Sequence, residues 1–217
     1  MLAFLHTAQA HVETFSALVR ASAPTLAMRH EVRAELLARA VAAGSVTAAL
    51  QSEIDGVVRT LASDGARLVV CTCSTIAAAA EATTVAHCPV LRIDRPMAEE
   101  AVASGRRILV LAALSSTLVP TRALLTQVAA HAGRSPVIVE ALCDGAWPLF
   151  ESGDRLGYAA RIAATIEAVA APGDVVLLAQ ASMAPALDLV TDLGIPVLCS
   201  PSSGVKAALT RYRGLEP

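Results

Sequence analysis

Apolar runs rich in β-branched residues recur along this chain. Each stops at a short polar cluster, and most are followed by a stretch whose apolar positions repeat at helical spacing. Eight such runs are predicted strands: Leu2–Thr7, Pro24–Arg29, Leu68–Cys71, Pro89–Ile93, Arg107–Ala113, Pro136–Leu142, Asp174–Ala179 and Ile195–Cys199. Helices are predicted over Ala10–Ala21, over Glu31–Ala43 closed by Gly44, from Ser45 to Ser63 ending at Asp64-Gly65, and just after Cys73. Further helices are predicted over Val119–His131 closing at Gly133, over Arg155–Ala170, after Met183, and over Ser202–Arg211, with Cys143–Pro148 read as a polar loop.

The order β-α-β-α-β-α-β therefore occurs twice. Part of the duplication is legible letter by letter: Cys88-Pro89-Val90-Leu91 matches Ile195-Pro196-Val197-Leu198 at an offset of 107, and the same offset carries Cys73 to Gln180. The predicted fold class is α/β, with two pseudo-symmetric lobes, each a mostly parallel four-stranded sheet flanked by helices, and an active-site cleft between them. The boundaries are residues 1–96 for a lobe carrying Cys73 and 97–217 for one carrying Gln180, with the last helix free to pack back on the first lobe.

Composition agrees with this reading. Hydrophobic residues make up 55% of the 217 and aromatics only 3%, which suits small-residue helices packed closely on buried strands. The net charge of −2, without a basic cluster, speaks against nucleic acid or an anionic membrane as partner. The first residues lack a basic leader and no stretch is long enough to span a bilayer, so the five cysteines are expected to be reduced thiols of a cytoplasmic protein. Lys206, the only lysine, lies in the last predicted helix, which leaves pyridoxal phosphate poorly served. No phosphate-binding glycine loop follows a strand. The expectation is that no cofactor and no metal is used.

The stretch Leu68-Val69-Val70-Cys71-Thr72-Cys73-Ser74-Thr75 carries the candidate chemistry. A strand feeds directly into a helix there. Ser74 or Thr75 is the expected cap, which leaves Cys73 in the turn beside the positive end of the helix, a position that favours thiolate. Cys71, one step inside the strand, reads as core. The pair His6-Thr7 closes the first strand at the matching edge, and His11 reads as a solvated helix residue.

Two motifs resemble those of the aspartate/glutamate racemase superfamily, which includes hydantoin racemases, maleate isomerases and arylmalonate decarboxylases. Val70-Cys71-Thr72-Cys73-Ser74-Thr75 is similar to its first cysteine motif. Leu178-Ala179-Gln180-Ala181-Ser182-Met183-Ala184-Pro185 is similar to Leu-Gly-Cys-Ala-Gly-Met-Ala, the second motif of the hydantoin branch. The resemblance implies a cofactor-independent reaction at a carbon next to a carboxylate or carbonyl, in which two cysteines exchange protons with opposite faces of that carbon. Carried over, Cys73 and Gln180 take the catalytic positions. His6, Thr7, Ser74, Thr75, Ser115, Ser116, Thr117, Ala181 and Ser182 take substrate-binding ones. A small carboxylate or amino acid is the implied substrate, and a homodimer the implied assembly.

Gln180 departs from the pattern. Its amide does not titrate near neutral pH and cannot hold a proton in reserve. The function read from the sequence is therefore a racemase-like isomerase with Cys73 as a single thiol base or nucleophile. The competing readings are a one-cysteine isomerase or decarboxylase, a non-catalytic two-lobed binding protein, and a hydrolase in which His6 or His30 activates the cysteine.

Overall fold

The computed structural model describes residues 1–190 and 193–215. The chain forms two compact units, one comprising Met1–Asp94 and the C-terminal segment from Pro201, the other Arg95–Ser200. The first holds β1 (Leu2–His6), α1 (Ala10–Ser22), β2 (Met28–Val32), α2 (Ala34–Ala43), α3 (Ala48–Ser63), β3 (Leu68–Cys71), α4 (Ser74–Ala82) and β4 (Val90–Arg92). The second holds α5 (Arg95–Ser104), β5 (Arg107–Ala112), α6 (Leu118–His131), β6 (Val137–Leu142), α7 (Ala146–Glu151), α8 (Arg155–Val169), β7 (Asp174–Leu178) and β8 (Val197–Cys199); α9 (Ser200–Arg213) ends the chain.

Each unit contains one four-stranded sheet with every pair parallel, in the orders β2-β1-β3-β4 and β6-β5-β7-β8. The fold is thus α/β with two equivalent parallel sheets flanked by helices. The middle strands β1, β3 and β7 are buried at every position, whereas β2 and β6 are half-buried or exposed. Helices cover both faces of a parallel sheet, so its middle strands are continuously apolar and its edges are not. Phe4 and Leu5 in β1 are fully buried, each contributing about 2 kcal/mol through the area removed from water.

Several boundaries differ from the sequence reading. The second strand begins at Met28 and runs to Val32 rather than spanning residues 24–29, because Met28–Val32 is the segment that pairs with Leu2–His6, and α2 consequently starts at Ala34 rather than Glu31. Trp147 and Pro148 belong to α7 and not to a polar loop; Pro148 sits in the first turn, where its missing N–H costs nothing. The segment after Gln180 winds as a 3₁₀ helix over Ala181–Asp188, which contains Pro185. Residues 95–104, left without a helix in the sequence reading, form α5.

Helix α9 returns to the first unit. Arg67 lies 5.3 Å from the Tyr212 ring and donates to the main-chain oxygen of Leu215. A Cβ on Gly204 would lie 2.3 Å from the main-chain oxygen of Ile93 and 2.5 Å from its Cδ1. A backbone atom cannot swing aside, so Gly204→Ala must displace the helix. The expected loss is about 3 kcal/mol, read in thermal melts as a drop in Tm of roughly 6–12 °C for a chain of this length. A Tm within a degree of the parent would contradict this close approach.

Candidate active site

Strand β3 ends at Cys71, and the chain keeps its ladder geometry for one more residue through the 3.0 Å bond from the Thr72 N–H to the Leu5 oxygen. Cys73 then takes extended backbone angles (φ −103°, ψ 110°) and is itself the N-cap of α4. The predicted caps move one place inward: Ser74 is the first helical residue and is buried. Cys73 is 8% exposed, and its thiol makes no capping hydrogen bond. Burial pushes the thiol up from its ordinary pKa; the Thr7 hydroxyl, the Ile76 and Thr75 N–H groups and the Thr75 hydroxyl pull the other way without reversing the shift. The helix-end position alone had argued for a resting thiolate. Desolvation outweighs it, and the group rests as a thiol.

Unit two repeats this turn. Leu5 is level with Cys71 in the first sheet and Leu111 with Leu178 in the second, so Cys73 and Gln180 each stand two residues beyond the end of the equivalent strand. Gln180 also takes extended angles (φ −124°, ψ 138°) and caps the 3₁₀ helix. Its side-chain oxygen accepts the N–H groups of Ala113 at 2.6 Å and Leu114 at 3.2 Å. Ala113 is the counterpart of Thr7, so the contact between the two turns is present in both units, made by a hydroxyl in one and by main-chain N–H groups in the other.

The other expected binding residues divide. Thr7, Ser74 and Thr75 cluster at Cys73 in unit one. Ser115, Ser116 and Thr117 form a 3₁₀ turn after β5, with Ser115 exposed, Thr117 buried and the Ser116 hydroxyl buried without a hydrogen-bond partner. Ala181 is buried beside Gln180, and the Ser182 hydroxyl is held at 2.9 Å by that of Tyr158.

His6 is fully buried in an ordered chain of hydrogen bonds. Its Nδ1 is 2.8 Å from the Thr72 hydroxyl, its Nε2 2.9 Å from Nδ1 of His30, and Nε2 of His30 2.9 Å from the Ser16 hydroxyl. Thr72 donates to the Leu5 oxygen at 3.3 Å. Assigning protons from that end makes each imidazole neutral, with Nδ1 carrying the hydrogen. Burial, reinforced by His11 and His30, lowers the pKa of His6 to about 3. Both nitrogens of His6 are thus taken by groups other than the sulfur, which removes the base that a cysteine–histidine hydrolase requires.

His11 was missed by the sequence reading. It is not solvated: both ring nitrogens are buried, neither has a hydrogen-bond partner, and burial lowers its pKa to about 4. The signal was present, because His11, Phe15 and Val19 fall at i, i+4 and i+8 on one face of α1, and Phe15 and Val19 are buried.

At the end of β4, Arg92 and Asp94 form a two-pronged buried ion pair at 2.7 and 2.9 Å. All five cysteines are free thiols. Among the described residues, no group of three His, Cys, Asp or Glu side chains is arranged to hold a metal ion, and no helix is long and apolar enough to cross a membrane.

Solved structures share this fold at low identity. A glutamate racemase from Bacillus anthracis superposes with a TM-score of 0.73 at 15% identity, covering 99% of this chain and 83% of that one. An aspartate racemase from Picrophilus torridus gives 0.69 at 16% (98% and 94%), and an allantoin racemase from Klebsiella pneumoniae 0.63 at 18% (98% and 87%). No curated protein sequence is significantly similar to the chain. The family model described as Asp/Glu/Hydantoin racemase matches residues 5–208, a span that takes in the Cys73 turn, the Gln180 turn and both sheets. On that match the chain belongs to the Asp/Glu/hydantoin racemase family, and with it to the racemase type of isomerase.

Proposed function

We propose that this protein catalyses a cofactor-independent reaction at a carbon next to a carboxylate or carbonyl of a small acid, amino acid or related molecule, with Cys73 as its one proton-transferring thiol. The observation that carries this reading is the setting of the sulfur: at the N-cap of α4, shielded from water, with the Thr7 and Thr75 hydroxyls and the Thr75 and Ile76 N–H groups placed to favour the thiolate. In the step envisaged, the thiolate takes the proton from the carbon. The C–H bond breaks as S–H forms, and the electron pair passes into the adjacent C=O to give an enolate. Strand-end donors stabilise the developing oxyanion. Return of the proton from the same sulfur, or from water that has exchanged with it, regenerates the thiolate.

Gln180 supports a one-thiol scheme. Its amide has no titrating proton, and its oxygen is already bound by two main-chain N–H groups. The test is incubation in heavy water with L-aspartate, L-glutamate, 5-methylhydantoin and allantoin, followed by NMR for deuterium at the carbon and by chiral chromatography for handedness. Deuterium entry on at least one of them supports the reading, and retention of handedness alongside it marks the one-thiol route. Ligand binding without exchange on any of them would replace it with a binding protein that has kept the fold.

A further inference from the structure

We infer that the groove between α5 and α6 is a binding site for a small amphipathic carboxylate, whose charged head meets Arg134 and His131 and whose apolar body lies along the groove floor. Every residue of this groove belongs to unit two, and the site stands independently of the reaction proposed above.

Packed helices usually interdigitate and leave little space between them. Here they do not. Val102 of α5 and Val128 of α6 are buried and form the floor, while Ala103 and Ala132 beside them are exposed and too short to close the gap. The cavity that remains measures about 510 Å³, within the range of roughly 300–1,000 Å³ common to small-molecule sites.

Polar groups stand towards its two ends. Arg95 begins α5 and turns both terminal nitrogens to the side-chain oxygen of Gln127, at 3.5 and 3.4 Å, and Glu99 one turn on offsets its charge. About 12 Å further along the helix axis, Nη1 of Arg134 donates to the main-chain oxygens of Val102 and Ala103 at 2.8 and 2.5 Å, carbonyls of the last turn of α5. Among the described residues no carboxylate pairs with Arg134, and its other N–H groups have no protein partner. The backbone therefore holds this cation in place before any ligand arrives, which lowers the entropy cost of binding. Its planar fork matches a carboxylate, and His131 lines the groove three residues earlier in the chain. Inorganic phosphate would leave the floor uncovered, and a neutral apolar molecule would leave Arg134 unmatched. One carboxylate on an aliphatic chain satisfies both, each CH₂ removed from water adding about fourfold to the affinity.

The test uses the whole protein, labelled with ¹⁵N at histidine, with octanoate, octan-1-ol and inorganic phosphate as probes. His131 is the one histidine of unit two, so its ring reports on the groove. Octanoate is expected to shift the His131 signals with a Kd below about 1 mM, and the other two probes to bind at least about tenfold more weakly. Arg134→Gln should weaken octanoate by about 10- to 100-fold, the value of a hydrogen bond to a charged group. Because Arg134 also ties the end of α5, Ala103→Phe serves as a second variant: it fills the groove from an exposed position and should abolish the His131 shift while leaving the Tm in place. Octan-1-ol binding as tightly as octanoate overturns the charged head, and phosphate doing so overturns the apolar body. Octanoate that leaves His131 silent, or that binds Ala103→Phe as tightly as the parent, overturns the site.

Discussion

Cys73→Ala is expected to slow deuterium entry at the substrate carbon by about 10²–10⁴-fold, the range for loss of a positioned acid–base group. Thermal stability should fall only modestly, by about 1–2 kcal/mol, because a single buried sulfur is removed. The pH profile separates this role from a packing role. Burial raises the thiol pKa, so the fraction present as thiolate is small at neutral pH and grows with alkalinity. Activity of the parent protein should climb through pH 8 without levelling. Thr7→Val removes the hydroxyl that favours the thiolate, which raises the pKa further and moves the climb to higher pH. Exchange by Cys73→Ala at the parent rate, or a flat profile in the parent, would take the sulfur out of the mechanism.

Acid should unfold unit one before unit two. His6 and His11 are held near pKa 3 and 4, whereas an imidazole in the unfolded chain titrates near 6.5. Below 6.5 the unfolded chain binds protons that the folded chain refuses. The stability present above pH 6.5 is therefore lost as the pH falls towards 4 and then 3. At pH 4 the two rings together account for several kcal/mol, roughly 3 kcal/mol each. That is a large part of the 5–15 kcal/mol that holds a typical domain folded. Unit two has a single histidine, His131, and it is exposed, not buried. Hydrogen exchange followed by mass spectrometry between pH 7 and pH 4 should show β1 and β2 losing protection while β5 and β7 keep theirs, and His6→Asn should flatten the difference. Equal loss in the two sheets would show that the buried imidazoles are not what limits acid stability.

The local geometry of the Cys73 turn was legible in the chain itself. The apolar run ending at Cys71-Thr72-Cys73 fixed a strand, a turn and a helix start, because an abrupt change from β-branched to alanine-rich sequence leaves little other choice. The match of Cys88–Leu91 with Ile195–Leu198 paired Cys73 with Gln180 across the duplication, and the two do occupy equivalent caps. Errors fell where local preference was weak. Pro24–Arg29 reads as a strand on its own, yet the sheet selected Met28–Val32 because that segment meets β1 in register. The 3₁₀ winding after Gln180 was likewise invisible, since a run of small residues around Pro185 suits either helix.

Sequence by itself determined the α/β class, the two equivalent sheets and the family, because each depends on short-range pattern or on spacing. Tertiary structure decided the charge state of the groups. Burial turned a cysteine that helix electrostatics would ionise into a resting thiol, made three imidazoles harder to protonate, and left the nitrogens of His11 without partners. Desolvation is set by what packs around a side chain from distant parts of the chain, and no local pattern encodes it.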